Sequence, residues 1–345
     1  MEQLIGNKFE ILKNLGEGGT GEVLLARDIH LNRLVAVKKI KKENEHWEQA
    51  RKEMEFLREL NHPNLPAVYD FWEEKEWLYL VMEYVEGITL EQFLKKNCKA
   101  EPEQAISWGI KLTEVLGYLH SRKPPVLYRD LKPGNIMIKP GGELKLIDLG
   151  ACMKSVESGK QKGYVGTYGY APSEQWRPGG ISVRSDIYAL GAVLHEMITG
   201  MPPLEAGYER RPVREYDRSI PVSLEKVIAK CTAKEPEERY QTMEQVRDAL
   251  QANTIYKKTR KAFRSLGSLV ITLFSFGGIV FWGYPLINGV PKEDFPFPYL
   301  YEPLFFMMAV VILKVFLKGR TAFIKNIEKS ILVTEKKFDG LHVMK

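Results

Sequence analysis

Up to about residue 83 the apolar positions of this chain fall in short strand-like segments; beyond Thr89 they take a helical spacing. Segments 9–15 and 22–28 read as strands around a glycine-rich turn, and 34–40 is a β-branched run. Segment 43–60 has helical periodicity and good helix formers, and 67–73 with 77–83 forms a second expected strand pair. Helices are expected over 101–120, 185–199, 224–231 and 242–250. Strands first and helices later predict an α+β fold in two lobes. No internal repeat is evident.

Two longer apolar runs change the picture near the end. Residues 266–284 contain no charge, and as a helix they would reach about 29 Å, close to the hydrocarbon thickness of a bilayer. Residues 299–317 carry one cation, Lys314, near their end, where the stem can lift the ammonium to the headgroups. Lys257, Lys258, Arg260, Lys261 and Arg264 precede the first run, and Lys318, Arg320, Lys325 and Lys329 follow the second. Cationic flanks stay in the cytoplasm, so both main segments are expected there with a short loop outside. A buried core helix is the other reading of the first run, and a re-entrant or interfacial helix that of the second. The basic stretch beside an apolar span reads as a membrane flank that favours anionic lipids rather than as a nucleic-acid site.

Composition adds limits. The 345 residues can hold a large domain and something more. Three scattered cysteines, Cys98, Cys152 and Cys231, with no C-x-x-C pair, argue against zinc, redox chemistry or a disulfide framework. The opening residues show no basic segment followed by an apolar one, so no cleavable secretion signal is expected. The net charge of +6 is accounted for by where the cations lie.

The candidate chemistry centres on Tyr128-Arg129-Asp130-Leu131-Lys132-Pro133-Gly134-Asn135, followed by Asp148-Leu149-Gly150. An acid, a base and an amide within six residues supply what phosphoryl transfer needs: a carboxylate to orient a hydroxyl, a cation for the moving phosphate and oxygen ligands for Mg²⁺. Upstream, Gly16-Glu17-Gly18-Gly19-Thr20-Gly21-Glu22-Val23 can bring backbone N–H groups to phosphate oxygens. Such spacing also marks dinucleotide folds, but there a helix follows the loop, whereas here a strand does. Lys38 ends Val35-Ala36-Val37-Lys38 on the third strand.

In this order the motifs resemble the catalytic core of a eukaryotic-type (Hanks-type) protein kinase, over about residues 9 to 250, and the segment Gly169-Tyr170-Ala171-Pro172-Ser173-Glu174-Gln175 and the trailing spans are similar to those of bacterial transmembrane serine/threonine kinases. The resemblance implies a β-rich N-lobe (1–84) and a helical C-lobe (85–255). A basic juxtamembrane segment (256–265), two transmembrane helices (266–284 and 299–317) around a short extracytoplasmic loop (285–298) and a cytoplasmic tail (318–345) follow. It implies that Asp130 orients the acceptor hydroxyl, that Lys132 neutralises the γ-phosphate, and that Asn135 and Asp148 hold Mg²⁺. Gly16, Gly18 and Gly21 would cover the ATP phosphates and Lys38 would pair with them. Glu53 on the following helix would hold that lysine, in preference to Glu55, Glu43, Glu45 or Glu48. Glu83 to Val85 would bind adenine through the backbone, with Val23, Ala36 and Met137 as apolar walls and Met82 as gatekeeper.

Further matches are structural. Thr167 would bond Asp130 and Lys132, Asp186 would fix the catalytic-loop backbone, and Glu174 would pair with Arg239. Val68, Leu57, Leu149 and Tyr128 would form a hydrophobic spine. Tyr128 stands where His is usual, Leu149 replaces Phe, Pro172-Ser173-Glu174 stands for A-P-E, and no amphipathic helix is evident over 202–221. The implied activity is transfer of the ATP γ-phosphate to Ser or Thr hydroxyls of proteins, at the cell membrane. A pseudokinase scaffold and a small-molecule kinase of the same fold are the alternatives. Homodimer formation is left open, and no nucleic-acid partner is expected.

Overall fold

The computed structural model describes residues 4–18, 21–42, 51, 57–149, 152–154, 166–177, 180–203 and 211–253. The chain divides into two units, Met1–Tyr256 and Lys257–Lys345. The second unit, with both apolar runs, lies outside the described residues, as does Glu53. Among the described residues no helix is long and apolar enough to cross a membrane.

The first part is a six-stranded antiparallel sheet in the order β1-β2-β3-β4-β6-β5. Its strands are β1 (Leu4–Ile5), β2 (Phe9–Gly18), β3 (Gly21–Asp28), β4 (Arg33–Lys41), β5 (Val68–Glu74) and β6 (Trp77–Glu83). Successive side chains point to opposite faces of a strand, and the sheet uses both faces. Leu24, Val35, Val37, Tyr79 and Val81 turn to one side, where they bury a small cluster with Ile5 and Phe9. Leu78 and Leu80 turn to the other and join the main core. Both faces of β4 are buried, which is why its sequence shows an unbroken apolar run up to Lys38.

Helices make up most of the rest. α1 (Leu90–Asn97) starts at a capping box in which Thr89 and Gln92 satisfy each other's backbone N–H. α2 (Pro102–His120) opens on a proline at its first turn and buries Ile106, Leu112, Leu116 and Leu119. α3 (Val183–Thr199) is capped by Ser182 and is buried almost all round, as a central helix should be. α4 (Val213–Tyr216), α5 (Val222–Cys231) and a helix over 243–253 pack beside it. The expected helices over 101–120, 185–199, 224–231 and 242–250 are met to within about three residues at each end; most of the expected helix over 43–60 lies outside the described residues, and 202–221 supplies only the four-residue α4 among its described residues.

Short ladders set the site. β7 (Ile88–Thr89), β9 (Ile136–Ile138) and β10 (Leu144–Leu146) form a three-stranded sheet, and β8 (Val126–Leu127) pairs with β11 (Met153–Lys154). Residues 128–135 therefore leave β8 and return in β9. The register Leu146↔Ile136 brings the chain after β10 alongside Asn135, where Ile147 N–H donates to Asn135 O at 2.9 Å.

Candidate active site

Asp130 and Lys132 lie on the loop between β8 and β9. Lys132 Nζ is 2.9 Å from Asp130 Oδ2. Thr167 joins them from a distant segment: its Oγ1 donates to Asp130 Oδ1 at 2.6 Å and accepts from Lys132 Nζ at 2.8 Å. A carboxylate beside a lysine ammonium can orient a hydroxyl and meet the charge that develops as that hydroxyl attacks a phosphate.

The loop is held from beneath. Asp186, buried on α3, accepts from Tyr128 N–H at 2.9 Å and Arg129 N–H at 2.8 Å, and pairs with His120 Nε2 at 2.8 Å. Burial pushes the Tyr128 phenol well above its ordinary range, with Cys152, Asp148 and Asp130 adding to the effect. The hydroxyl stays protonated and donates to Ile147 O at 2.5 Å. Tyr128 and Leu149 are buried in the main core with Leu57, and Val68 packs against it, so the four spine residues share one cluster.

Asn135 ends a tight turn over Pro133–Asn135. Its amide nitrogen donates to Asp130 O at 2.8 Å and to Asp130 Oδ2 at 3.0 Å. Oδ1 is then the side-chain atom that remains to hold a cation. Asp148 has a left-handed backbone, with φ of +57°, which aspartate tolerates better than most residues. Its half-exposed carboxylate receives Lys38 Nζ at 3.1 Å. One carboxylate and one amide oxygen are hard donors that suit Mg²⁺ held mainly by phosphate and water.

Register places the rest. Val23 pairs with Gly16 on one side and with Lys38 on the other, and Ala36 pairs with Met82. Period two then puts Val23, Ala36 and Lys38 on one face of the sheet, opposite Leu24, Val35 and Val37. Gly18 pairs with Gly21 at the tip of the β2–β3 hairpin. Gly21 has φ of +135°, and a Cβ there would collide with Lys39 O, so the hairpin closes only with glycine. Gly16 has open space where a Cβ would stand.

Met137 faces away from Ile136 and Ile138, on the same side as its partner Lys145. Lys145 is buried; its Nζ donates to the Glu83 carboxylate and, at 3.2 Å, to Leu65 O. The Met137 face therefore turns toward Glu83, one of the expected adenine contacts. Glu83 N–H itself donates to Ala67 O at 2.8 Å. Arg239 grips Glu174 with two nitrogens, at 2.5 and 3.1 Å. The structure thus joins Asp130, Lys132 and Asn135 in one set of contacts and Lys38 with Asp148 in another, and the Ile147 N–H that donates to Asn135 O sets the residue before Asp148 beside the first set; Glu53 is outside the described residues.

Three contributors carry no sequence expectation. Lys145 alternates with Leu144 and Leu146 and reads as the wet face of a strand. His120 ends a helix, and Gln175 is a single polar residue after Glu174. Gln175 is buried and donates to Arg129 O at 2.7 Å.

Residues 9–252 match the family model described as "Protein kinase domain". Serine/threonine-protein kinase PrkC of Bacillus subtilis is 34% identical over 257 residues, covering 70% of this chain and 39% of that protein. Serine/threonine-protein kinase PknB of Mycobacterium leprae is 35% identical over 265 residues, covering 70% and 42%. PknB of Mycobacterium tuberculosis is 33% identical over 266 residues, covering 70% and 42%. The chain spans about two fifths of the length of these curated relatives.

Proposed function

The chain belongs to the protein kinase family, and from that premise we propose that it transfers the γ-phosphate of ATP to Ser or Thr hydroxyls of proteins. The observation that carries this reading is the three-way contact of Asp130, Lys132 and Thr167 within reach of Asn135. Asp130 orients the acceptor hydroxyl and accepts its proton as the oxygen attacks. Lys132 meets the negative charge on the moving phosphate. Lys38 anchors the phosphates, and Glu53 steadies Lys38. Gly16, Gly18 and Gly21 offer backbone N–H groups, while Val23, Ala36, Val85 and Met137 enclose the adenine beside Glu83. Asn135 and Asp148 would hold Mg²⁺, which would supply positive charge to offset that of the phosphates.

The proposal extends to the membrane. The charge-free run 266–284, the run 299–317 and their cationic flanks support a two-span anchor with both main segments on the cytoplasmic side. Anionic lipids would meet the basic stretch 256–265. Loss of the membrane fraction on truncation after Tyr256 is the expected result; an unchanged distribution would refute the anchor. Sedimentation of the full chain decides whether it pairs with a second copy.

Labelled ATP, Mg²⁺ and a generic protein acceptor test the activity. Label is expected on Ser or Thr and is lost in Asp130→Asn. Transfer to a metabolite but never to protein would support the small-molecule reading. Nucleotide binding with no transfer would support the scaffold.

A further inference from the structure

Gln175 sits in a tight turn over Ser173–Trp176 and is 2% exposed. Its Nε2 donates to Arg129 O at 2.7 Å. Arg129 has φ of +69°, a left-handed conformation uncommon for a side chain of this kind. Its N–H is held by Asp186 Oδ1 at 2.8 Å. Both backbone polar groups of this strained residue are therefore bonded to buried side chains, and the next residue is Asp130.

The same Nε2 stands against Gly166, where φ is +138° and a Cβ would collide with it. The residue after Gly166 is Thr167, whose Oγ1 donates to Asp130 Oδ1 at 2.6 Å. One amide thus touches the residue before Asp130 and the residue before Thr167, while those two successors bond to each other.

We propose that Gln175 is a positioning residue that sets Thr167 against Asp130, so that the catalytic loop reaches its working geometry only when segment 166–177 is docked. This rests on the kinase reading of the site. Asp186 fixes the loop from the core side; Gln175 fixes it from the substrate side. Loss of the donor leaves Arg129 O without this bond, so the catalytic loop and segment 166–177 can slide against each other. A displacement of this kind acts on the chemical step, because Asp130 orients the acceptor, and leaves the nucleotide contacts of Lys38 and β4 alone.

The test uses the full chain with MgATP and a generic protein acceptor. Gln175→Met keeps the volume without a donor, and Gln175→Glu keeps the shape while turning a carboxylate toward Arg129 O. In each, kcat is expected to fall about tenfold. KM for MgATP and MgATP affinity by calorimetry should stay within about twofold. In a Thr167→Val background, Gln175→Met should change kcat by less than about twofold, because the contact it sets is already gone.

Wild-type kcat in Gln175→Met overturns the proposal. So does a joint fall of kcat and nucleotide affinity, or losses that multiply in the double variant. Retained MgATP binding certifies that a variant has folded; if the Met replacement does not fold, the Glu replacement decides by the same criteria. A wild-type chain that labels no protein sinks the kinase reading itself, whereas an active wild type with an unaltered variant sinks only the role of Gln175.

Discussion

Lys38 Nζ and Asp148 Oδ1 stand 3.1 Å apart, joining residues separated by 110 positions in sequence. The contact links the third long strand to the segment after β10, and so ties the expected phosphate anchor to the expected metal ligand. Lys38 is mostly buried while Asp148 is half exposed, which leaves the carboxylate open to a cation from the solvent side.

That arrangement separates the two residues' effects. Asp148→Asn keeps an oxygen for Lys38 but removes the charge that a divalent ion needs. Calorimetry should show nucleotide binding that no longer tightens when Mg²⁺ is added, with turnover down at least about a hundredfold. Lys38→Met should weaken nucleotide binding with or without Mg²⁺. Identical metal dependence in the two variants would contradict these assignments.

Lys145 and Glu83 form a second long-range pair, and its consequence falls on nucleotide affinity. Lys145 is buried on β10, and its ammonium bonds the carboxylate of the residue that ends β6. Lys145→Met leaves that carboxylate, itself only a quarter exposed, without its cation. A loss of about 2 kcal/mol in stability is expected, less than for a fully buried pair. KM for ATP should rise more than kcat falls, since Glu83 borders the proposed adenine site. Lys145→Met combined with Glu83→Leu should recover most of the stability in urea unfolding, because no unpaired charge is left behind.

The readable parts of this molecule are those where local pattern and three-dimensional role agree. β6 spans 77–83, the range expected of its strand-like apolar run, and α2 begins one residue past its expected start, at the proline that favours a first turn. Asp130, Lys132, Thr167 and Asp186 are legible because their order along the chain is that of a family; the first three bond to one another, and Asp186 holds the backbone of the loop just before Asp130. Ladders of two or three residues such as β8 and β11 are too short to carry a period. Lys145 was hidden for another reason. Its alternation with two leucines signals an exposed face, but that face is covered by Glu83, a fact of tertiary structure alone. Gln175 has no local signature at all, since its partners lie on two other segments.

Glu196 carries a pH signature. Burial raises its carboxyl above the ordinary value of 4.5, the hydrogen bond from Tyr170 opposes the shift, and the charge of Glu91 adds to it. The folded chain then binds this proton more tightly than the unfolded chain does. Stability from this group is complete below about pH 4.5 and is lost as pH rises through the raised folded value. Glu196→Gln removes the charge while keeping an oxygen for Tyr170, which donates at 2.5 Å. Urea midpoints should place the variant above wild type at about pH 8 and bring the two closer at about pH 5. A gap of equal size at both values would reject this account.

Arg239 offers the clearest stability test. Two of its nitrogens hold Glu174, and the guanidinium also reaches Ala233 O at 2.8 Å, Lys234 O at 3.0 Å and Arg184 O at 3.1 Å. Five contacts from one planar group cannot be reproduced by a lysine ammonium. Arg239→Ala takes the cation from Glu174, loses all five bonds and should destabilise by about 3–5 kcal/mol. For a domain of this size the melting temperature should drop by roughly 10 °C. Arg239→Lys should recover less than half of that loss. Glu174 lies beside Gln175 in the turn over Ser173–Trp176, so loosening it also frees the segment that bears Thr167. Turnover at a temperature where both variants stay folded should therefore fall while MgATP affinity holds. A variant that melts early but turns over at the wild-type rate when folded would confine this ion pair to stability.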